Sequence, residues 1–249
     1  MKSHIYIYSG PGAAAESLFQ TLSALQALAP LPYKIHKIGF RELKGGAWAQ
    51  DAALLIMPGG ADIPYAKYLS GEGTTKIRGY VEQGGSYLGI CAGAYFASTE
   101  IIFEAGTPLE VHGTRELKFF PGIAEGPVLA PYDYQSNAGA RIAKLQLKGS
   151  KEFVFSHFNG GCHFVGAKNI PGIIVHATYG DTEKAAIIEI KIGKGTAILS
   201  GVHPEFSPHL MNREDPYLRP IVETLEKNQS AREYLMEKIL EKLGIKIKK

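Results

Sequence analysis

Cysteine is scarce in this 249-residue chain: Cys91 and Cys162 are its only two. Two thiols cannot build a disulfide framework, so a reducing, cytoplasmic setting is the expectation. Long hydrophobic runs are missing as well. No apolar stretch approaches the ~20 residues that a membrane-spanning helix needs. Met1-Lys2-Ser3 leads straight into His4-Ile5-Tyr6-Ile7-Tyr8 with no apolar leader before it, so no targeting segment is expected. Charge of one sign is not in excess either. The net charge is +3, and the basic cluster Lys246, Lys248 and Lys249 reads as a solvated end. There is no basic stripe of the kind that follows a phosphate backbone, so neither nucleic acid nor membrane is an expected partner. Internal repeats and low-complexity segments are absent too.

What is present is an ordinary globular balance, 45% hydrophobic and 20% charged. The length suits one large α/β domain or two small ones. The pattern predicts a strand over 4–8, a turn at Ser9-Gly10-Pro11-Gly12 and an amphipathic helix over 14–28. In that helix Leu18, Leu22 and Leu25 recur at helical spacing and should face a core. Pro30 and Pro32 stop it, and 33–38 reads as a second strand. This opening points to a parallel sheet with right-handed crossovers. The glycine turn matches neither a dinucleotide fingerprint nor a P-loop, so no phosphate site is expected there.

A third strand over 52–57 ends in Pro58-Gly59-Gly60-Ala61-Asp62. A short helical turn over 65–69 and a helix over 74–83 follow, the latter with Ile77, Tyr80 and Val81 on one face. Residues 101–150 are less regular. Phe119-Phe120-Pro121-Gly122 and 126–132 read as loops or edge strands. Strands are expected over 141–147, 152–156, 173–179, 185–192 and 196–200, with a hairpin turn at Lys194-Gly195. Helices over 221–225 and 231–243 close the chain, with Leu235, Ile239 and Leu243 turned inward.

One stretch organises the rest. An apolar strand over 87–90 runs into Cys91, with Gly89 two residues before and Gly93 two after, and Tyr95-Phe96 reads as a helix start. This is the pattern of a nucleophile elbow with Cys in place of Ser, where a helix N-terminus favours thiolate. The plainer reading is a buried cysteine packed as a small hydrophobe. A cysteine nucleophile needs a base, and the base needs an orienting acceptor. His203 and Glu205 fit, since Pro204 favours extended backbone before it and alternate residues then face the same way. The N–H groups of Gly60 and Ala92 are candidates to stabilise an oxyanion, with Gly59 beside them.

Pro58-Gly59-Gly60, Gly89-Ile90-Cys91-Ala92-Gly93 and His203-Pro204-Glu205 together resemble the class I glutamine amidotransferase superfamily. A narrower resemblance is to the amidotransferase-like domain found at the N-terminus of eukaryotic biotin–protein ligases and as free-standing bacterial proteins. It is carried by Tyr8-Ser9-Gly10-Pro11-Gly12, Pro58-Gly59-Gly60-Ala61-Asp62-Ile63-Pro64-Tyr65, Gly89-Ile90-Cys91-Ala92-Gly93-Ala94-Tyr95-Phe96, residues 115–122 and residues 137–141. It covers about residues 4–208, leaving 209–249 as C-terminal helices.

The resemblance implies one α/β domain over 1–249, flavodoxin-like, with a mostly parallel central sheet flanked by helices and extra strands inserted over 101–190. It implies a Cys91-His203-Glu205 triad acting on a C–N amide of a small molecule or peptide, with no cofactor and room for a partner protein. Glutamine-hydrolysing members carry Gln four residues after the nucleophile. Tyr95 stands there in this chain, a departure that leaves glutamine specificity open but not the nucleophile. The Gly/Arg-rich loop that closes over biotinyl-adenylate in the ligases is absent, so the chain is not expected to biotinylate by itself. Two further readings stay open: a non-catalytic ligand- or partner-binding regulatory module, and a cysteine peptidase.

Other residues carry weaker signals. Asp62 and Arg115 lie in family-like stretches and either lines the substrate pocket or orders a loop. Cys162, His163 and nearby His157 have too few ligands for zinc and are expected on a loop near the mouth of the site. His112, His176 and His209 read as structural histidines. Tyr132, Asp133 and Tyr134 read as a packed loop in preference to a pocket wall.

Overall fold

The computed structural model describes residues 2–180 and 182–248. Its strands are β1 (His4–Tyr8), β2 (Lys34–Ile38), β3 (Ala52–Met57), β4 (Ser86–Ile90), β5 (Ser98–Phe103), β6 (Val111–Thr114), β7 (Phe120–Gly126), β8 (Arg141–Leu147), β9 (Phe153–Phe158), β10 (His163–Phe164), β11 (Ile173–Tyr179), β12 (Ala185–Ile192) and β13 (Gly195–Ser200). Its α-helices are α1 (Ala15–Leu28), α2 (Phe40–Gly45), α3 (Asp62–Leu69), α4 (Glu72–Glu82), α5 (Ala92–Phe96), α6 (Arg219–Lys227) and α7 (Gln229–Lys242). The heart of the sheet is parallel, in the order β2-β1-β3-β4-β13. The sheet then continues through β12, β10, β7, β5 and β6, while β11, β8 and β9 branch from β12. Most of these added pairings are antiparallel. The expected fold, a parallel α/β core with inserted strands, is the one observed.

The core sits on both faces of this sheet. β3 reads Ala-Ala-Leu-Leu-Ile-Met, and its side chains alternate between two clusters. Leu55 and Met57 pack with Tyr8, Tyr65, Tyr87 and Phe96. Leu54 and Ile56 pack with Ile5, Ile7, Leu88 and the α7 residues Leu235 and Ile239. A strand covered by helices on both faces needs such a continuous apolar run. The expected inward residues Leu235 and Ile239 of α7, and Leu243 just after it, are buried.

Several local expectations are corrected. The short turn over 65–69 is the end of an eight-residue helix, α3, since Pro64 falls in its first turn, where no intrahelical N–H is needed. Tyr95-Phe96 closes α5 instead of opening a longer helix. Phe120-Pro121-Gly122 belongs to β7, an inner strand paired with both β5 and β10. The β5–β7 register slips between Ser98 and Glu100, so Pro121 and Gly122 sit in a bulge where a missing N–H is tolerated. The basic tail is not loose. Lys246 donates its N–H to Tyr33 Oη, and Lys248 bonds the carbonyls of Leu28 and Gln26, while Lys249 lies outside the described residues. No helix among the described residues is long and apolar enough to cross a membrane.

Candidate functional site

β3, β4 and β13 are neighbouring parallel strands, so their carboxyl ends meet at one edge of the sheet. Ligands of open α/β sheets bind at that edge. The segments that leave it are Pro58-Gly59-Gly60, Cys91 and His203-Pro204-Glu205.

Cys91 has φ 49° and ψ −104°, a left-handed conformation rare for a residue with a Cβ. The turn is forced by close packing around it. A Cβ on Gly93 would stand 2.1 Å from the Met57 carbonyl oxygen, and one on Gly89 2.5 Å from that of Gly93. The Cys91 N–H bonds the Ser200 carbonyl at 2.8 Å, tying the elbow to β13. Its thiol donates to the Asn159 carbonyl at 3.7 Å, and Cys91 and His203 line the same cavity.

His203 is held by its backbone and its ring. Its N–H donates to the His157 carbonyl at 2.9 Å, and Nδ1 lies 2.8 Å from Glu205 Oε1. Nδ1 therefore donates its proton to Glu205. The route differs from the expected extended segment. Phe206 N–H bonds the His203 carbonyl, so 203–206 is a turn that folds Glu205 back under the ring. Glu205 is fully buried, and His203 is 5% exposed. Burial pulls the His203 pKa down, but the Glu205 carboxylate and the nearby Cys91 sulfur outweigh it and push the value up to about 10. His157, stacked on Phe206 at 4.5 Å, is driven well below the ordinary value by burial and by His203, so it stays neutral.

Gly60 reaches φ 146°, and a Cβ there would stand 2.0 Å from the Gly12 carbonyl oxygen. The Ser9–Gly12 turn thus packs against this loop: Ala61 N–H bonds Gly12 O at 2.8 Å, and Ala14 N–H bonds Gly59 O at 3.0 Å. Gly60 N–H takes part in neither bond. Ala92 N–H, first in α5, has no intrahelical acceptor.

Gly59, Gly60, Asp62, Cys91, Ala92, Tyr95 and His203 line one cavity of about 230 Å³. Glu205 sits behind His203, and Arg115 behind Asp62, whose Oδ2 accepts its Nε at 2.6 Å. Burial raises the Asp62 pKa even against that guanidinium. The sequence reading missed other lining residues. Tyr132 and Tyr134 form part of the wall, correcting the packed-loop expectation, while Asp133 turns outward to Ser136 and Gln135. His157 lies on β9 and lines the cavity, while Cys162 is fully buried in the segment just before β10, its carbonyl accepting the Tyr179 hydroxyl, and so is not exposed at a mouth. His163, in β10, pairs with Glu125. His112 bonds Glu100, His176 bonds Glu189 and His209 bonds Gln229. Among the described residues no three His, Cys, Asp or Glu side chains gather as metal ligands. A sulfur, an imidazole and a buried carboxylate in series, with free N–H groups at the same sheet edge, are the parts that acyl transfer through sulfur requires.

Known proteins share this chain and this fold. A profile described as "Biotin-protein ligase, N terminal" matches residues 3–249, extending the resemblance through the C-terminal helices. A biotin–protein ligase of Schizosaccharomyces pombe is 36% identical over 253 residues, covering 99% of this chain and 38% of its own length. The chain thus spans well under half of that relative. An uncharacterized protein of Chlamydia muridarum is 34% identical over 244 residues, covering 96% of this chain and 94% of its own. Among solved structures, a glutamine amidotransferase of Thermotoga maritima superposes with a TM-score of 0.59 at 12% identity, covering 98% of both chains, which shows a common fold. With a profile spanning residues 3–249 and a relative as similar as the Chlamydia protein over nearly its whole length, the chain belongs to the family of the biotin–protein ligase N-terminal domain.

Proposed function

We propose that the chain cleaves or transfers an acyl group at a C–N amide bond through Cys91. The observation that carries this reading is the His203 ring, bonded by Nδ1 to buried Glu205 and lining one cavity with Cys91. The Cys91 sulfur attacks the amide carbonyl carbon, and a C–S bond forms. His203, its pKa raised to about 10 and so already holding the proton, gives it to the leaving nitrogen as the C–N bond breaks. Water or an amine then takes the acyl group from the thioester. Glu205 orients the ring through Nδ1 and stabilises its positive charge. Gly60 and Ala92 N–H donate to the oxyanion. α5 is only five residues long, so its dipole adds little and the work of activation falls on His203.

Biotin ligation is the activity in the name of the S. pombe relative, most of which lies outside the region matched here. The reading for this chain is amide chemistry at the sheet edge. The test is the pH dependence of iodoacetamide labelling at Cys91, read by mass spectrometry, together with turnover of an amide panel. An unperturbed thiol titrates near ~8.5, whereas activated ones fall to roughly 3.5–7.5. Fast labelling at pH 6 to 7 that is lost in His203→Ala, and amide turnover that is lost in Cys91→Ala, support the reading. A slow Cys91 and no turnover leave the regulatory-module alternative standing.

A further inference from the structure

We infer that the cavity over Cys91 accepts uncharged or cationic amides bearing an apolar group and turns away free α-amino acids such as glutamine. The inference rests on the reading of Cys91 as nucleophile.

The charge of the lining comes first. Among the described residues its carboxylates are Glu16 and Asp62, the latter paired with Arg115, and no lysine or arginine lines it. The guanidinium behind Asp62, that of Arg115, is already engaged: Nε bonds Asp62, and Nη1 bonds the Thr114 carbonyl at 2.9 Å. The other positive group, His203, is paired with Glu205. A further carboxylate, Glu104, sits behind the wall and accepts the Tyr132 N–H. An entering α-carboxylate would leave water for a site whose unpaired charge is the Glu16 carboxylate at the rim, with no unpaired cation among the described lining residues to meet it, which is unfavourable. An ammonium would meet Glu16 at the rim and aromatic faces within.

The walls supply the second half. Tyr95, Phe103, Tyr132 and Tyr134 form a continuous edge-to-face series, with centroids 5.8, 5.8 and 4.7 Å apart. Such rings favour apolar or flat groups over a small polar side chain. Tyr95 stands where the resemblance places a glutamine-holding Gln. Its hydroxyl is committed to the Gly160 carbonyl at 3.1 Å and does not stand in for a side-chain amide.

The test reads charge selectivity at Cys91 itself. Three methanethiosulfonates of similar size are used, one neutral, one carrying an ethylammonium and one an ethylsulfonate. Rates at Cys91 are followed by mass spectrometry and divided by the rates with a small free thiol. The anionic reagent is expected to be slowed about tenfold or more against the neutral one, the cationic reagent not at all. Two surface variants keep the test independent of folding. Glu16→Gln, on the exposed start of α1, should narrow the gap, and Tyr134→Lys, on a half-exposed ring, should speed the anionic reagent. An anionic reagent as fast as the neutral one, or equal slowing of both charged reagents, overturns the inference. Failure of the nucleophile reading shows elsewhere, as Cys91 labelling indifferent to His203→Ala.

Discussion

Ser17 and Glu205 are 188 residues apart in sequence, and the Ser17 hydroxyl donates to Glu205 Oε1 at 3.1 Å. The same oxygen accepts from His203 Nδ1 at 2.8 Å. The Ser17 hydroxyl in turn accepts the Gly59 N–H at 2.9 Å. One buried side chain on α1 thus links the loop after β3 to the acid after β13. The two halves of the proposed machinery share a single hinge.

Ser17→Ala removes both bonds at once. It leaves the Gly59 N–H without an acceptor and Glu205 with one donor fewer in a fully buried place. A loss of about 1–3 kcal/mol is expected, read by urea denaturation. A merely structural serine would change stability alone. Here the rate of Cys91 alkylation at pH 6 to 7 should fall several-fold as well, and Ser17→Thr should recover part of it.

That contact also marks the limit of what the sequence discloses. Gly89-x-Cys91-x-Gly93 and His203-Pro204-Glu205 are legible because each motif is local: the elbow needs its small neighbours two residues away, and base and acid lie two residues apart. Ser17 has no such signal. A serine inside an amphipathic helix looks like any other polar residue until two distant loops close on it. β7 was hidden by Pro121 and Gly122, which read as a loop and are absorbed by a bulge. Tyr132 and Tyr134 were hidden because loop aromatics pack in many ways, and only the tertiary position of 127–140 aims them at Cys91.

The two contacting histidines should shape stability against pH from opposite sides. The His203 pKa is raised from 6.5 to about 10, so the folded state holds its proton more tightly than the unfolded chain. Its contribution is full below pH 6.5 and is lost as pH rises through about 10. The His157 pKa is lowered, so the unfolded chain binds the proton more tightly. Its contribution is full above pH 6.5 and is lost as pH falls below that. Urea midpoints from pH 5 to 10 check both. His203→Gln should flatten the alkaline fall, and His157→Phe, which keeps the stacking on Phe206, should flatten the acid one. An unchanged alkaline slope in His203→Gln would contradict the assignment.

Arg232 reaches the site from α7. It is 4% exposed, its Nη1 donates to the Pro204 carbonyl at 3.0 Å, and it interacts with the Glu205 charge. It is a positioning residue for the turn that folds Glu205 under His203. Arg232→Met keeps most of the packing and removes the donor and the charge, so a cost of about 2 kcal/mol is expected. Cys91 alkylation should slow with it. Truncation at Tyr234, on the same helix but half exposed, should leave that rate unchanged.

The strain at Cys91 can be measured by comparing two substitutions that both remove the sulfur. At φ 49° and ψ −104° a side chain of any size is disfavoured, at a cost on the order of 1–3 kcal/mol. Glycine adopts this geometry freely but loses roughly 0.5–1 kcal/mol more backbone entropy on folding. The difference leaves Cys91→Gly more stable than Cys91→Ala by about 1 kcal/mol, the reverse of the usual order in regular structure. Thermal or urea unfolding of the pair decides it. If Ala is the more stable, the elbow relaxes once the sulfur is gone, and the conformation is held by the thiol's own contacts. If Gly is, the surrounding strands impose the turn, and the chain keeps a strained cysteine where an unstrained glycine would fold better, as expected of a residue retained for its sulfur.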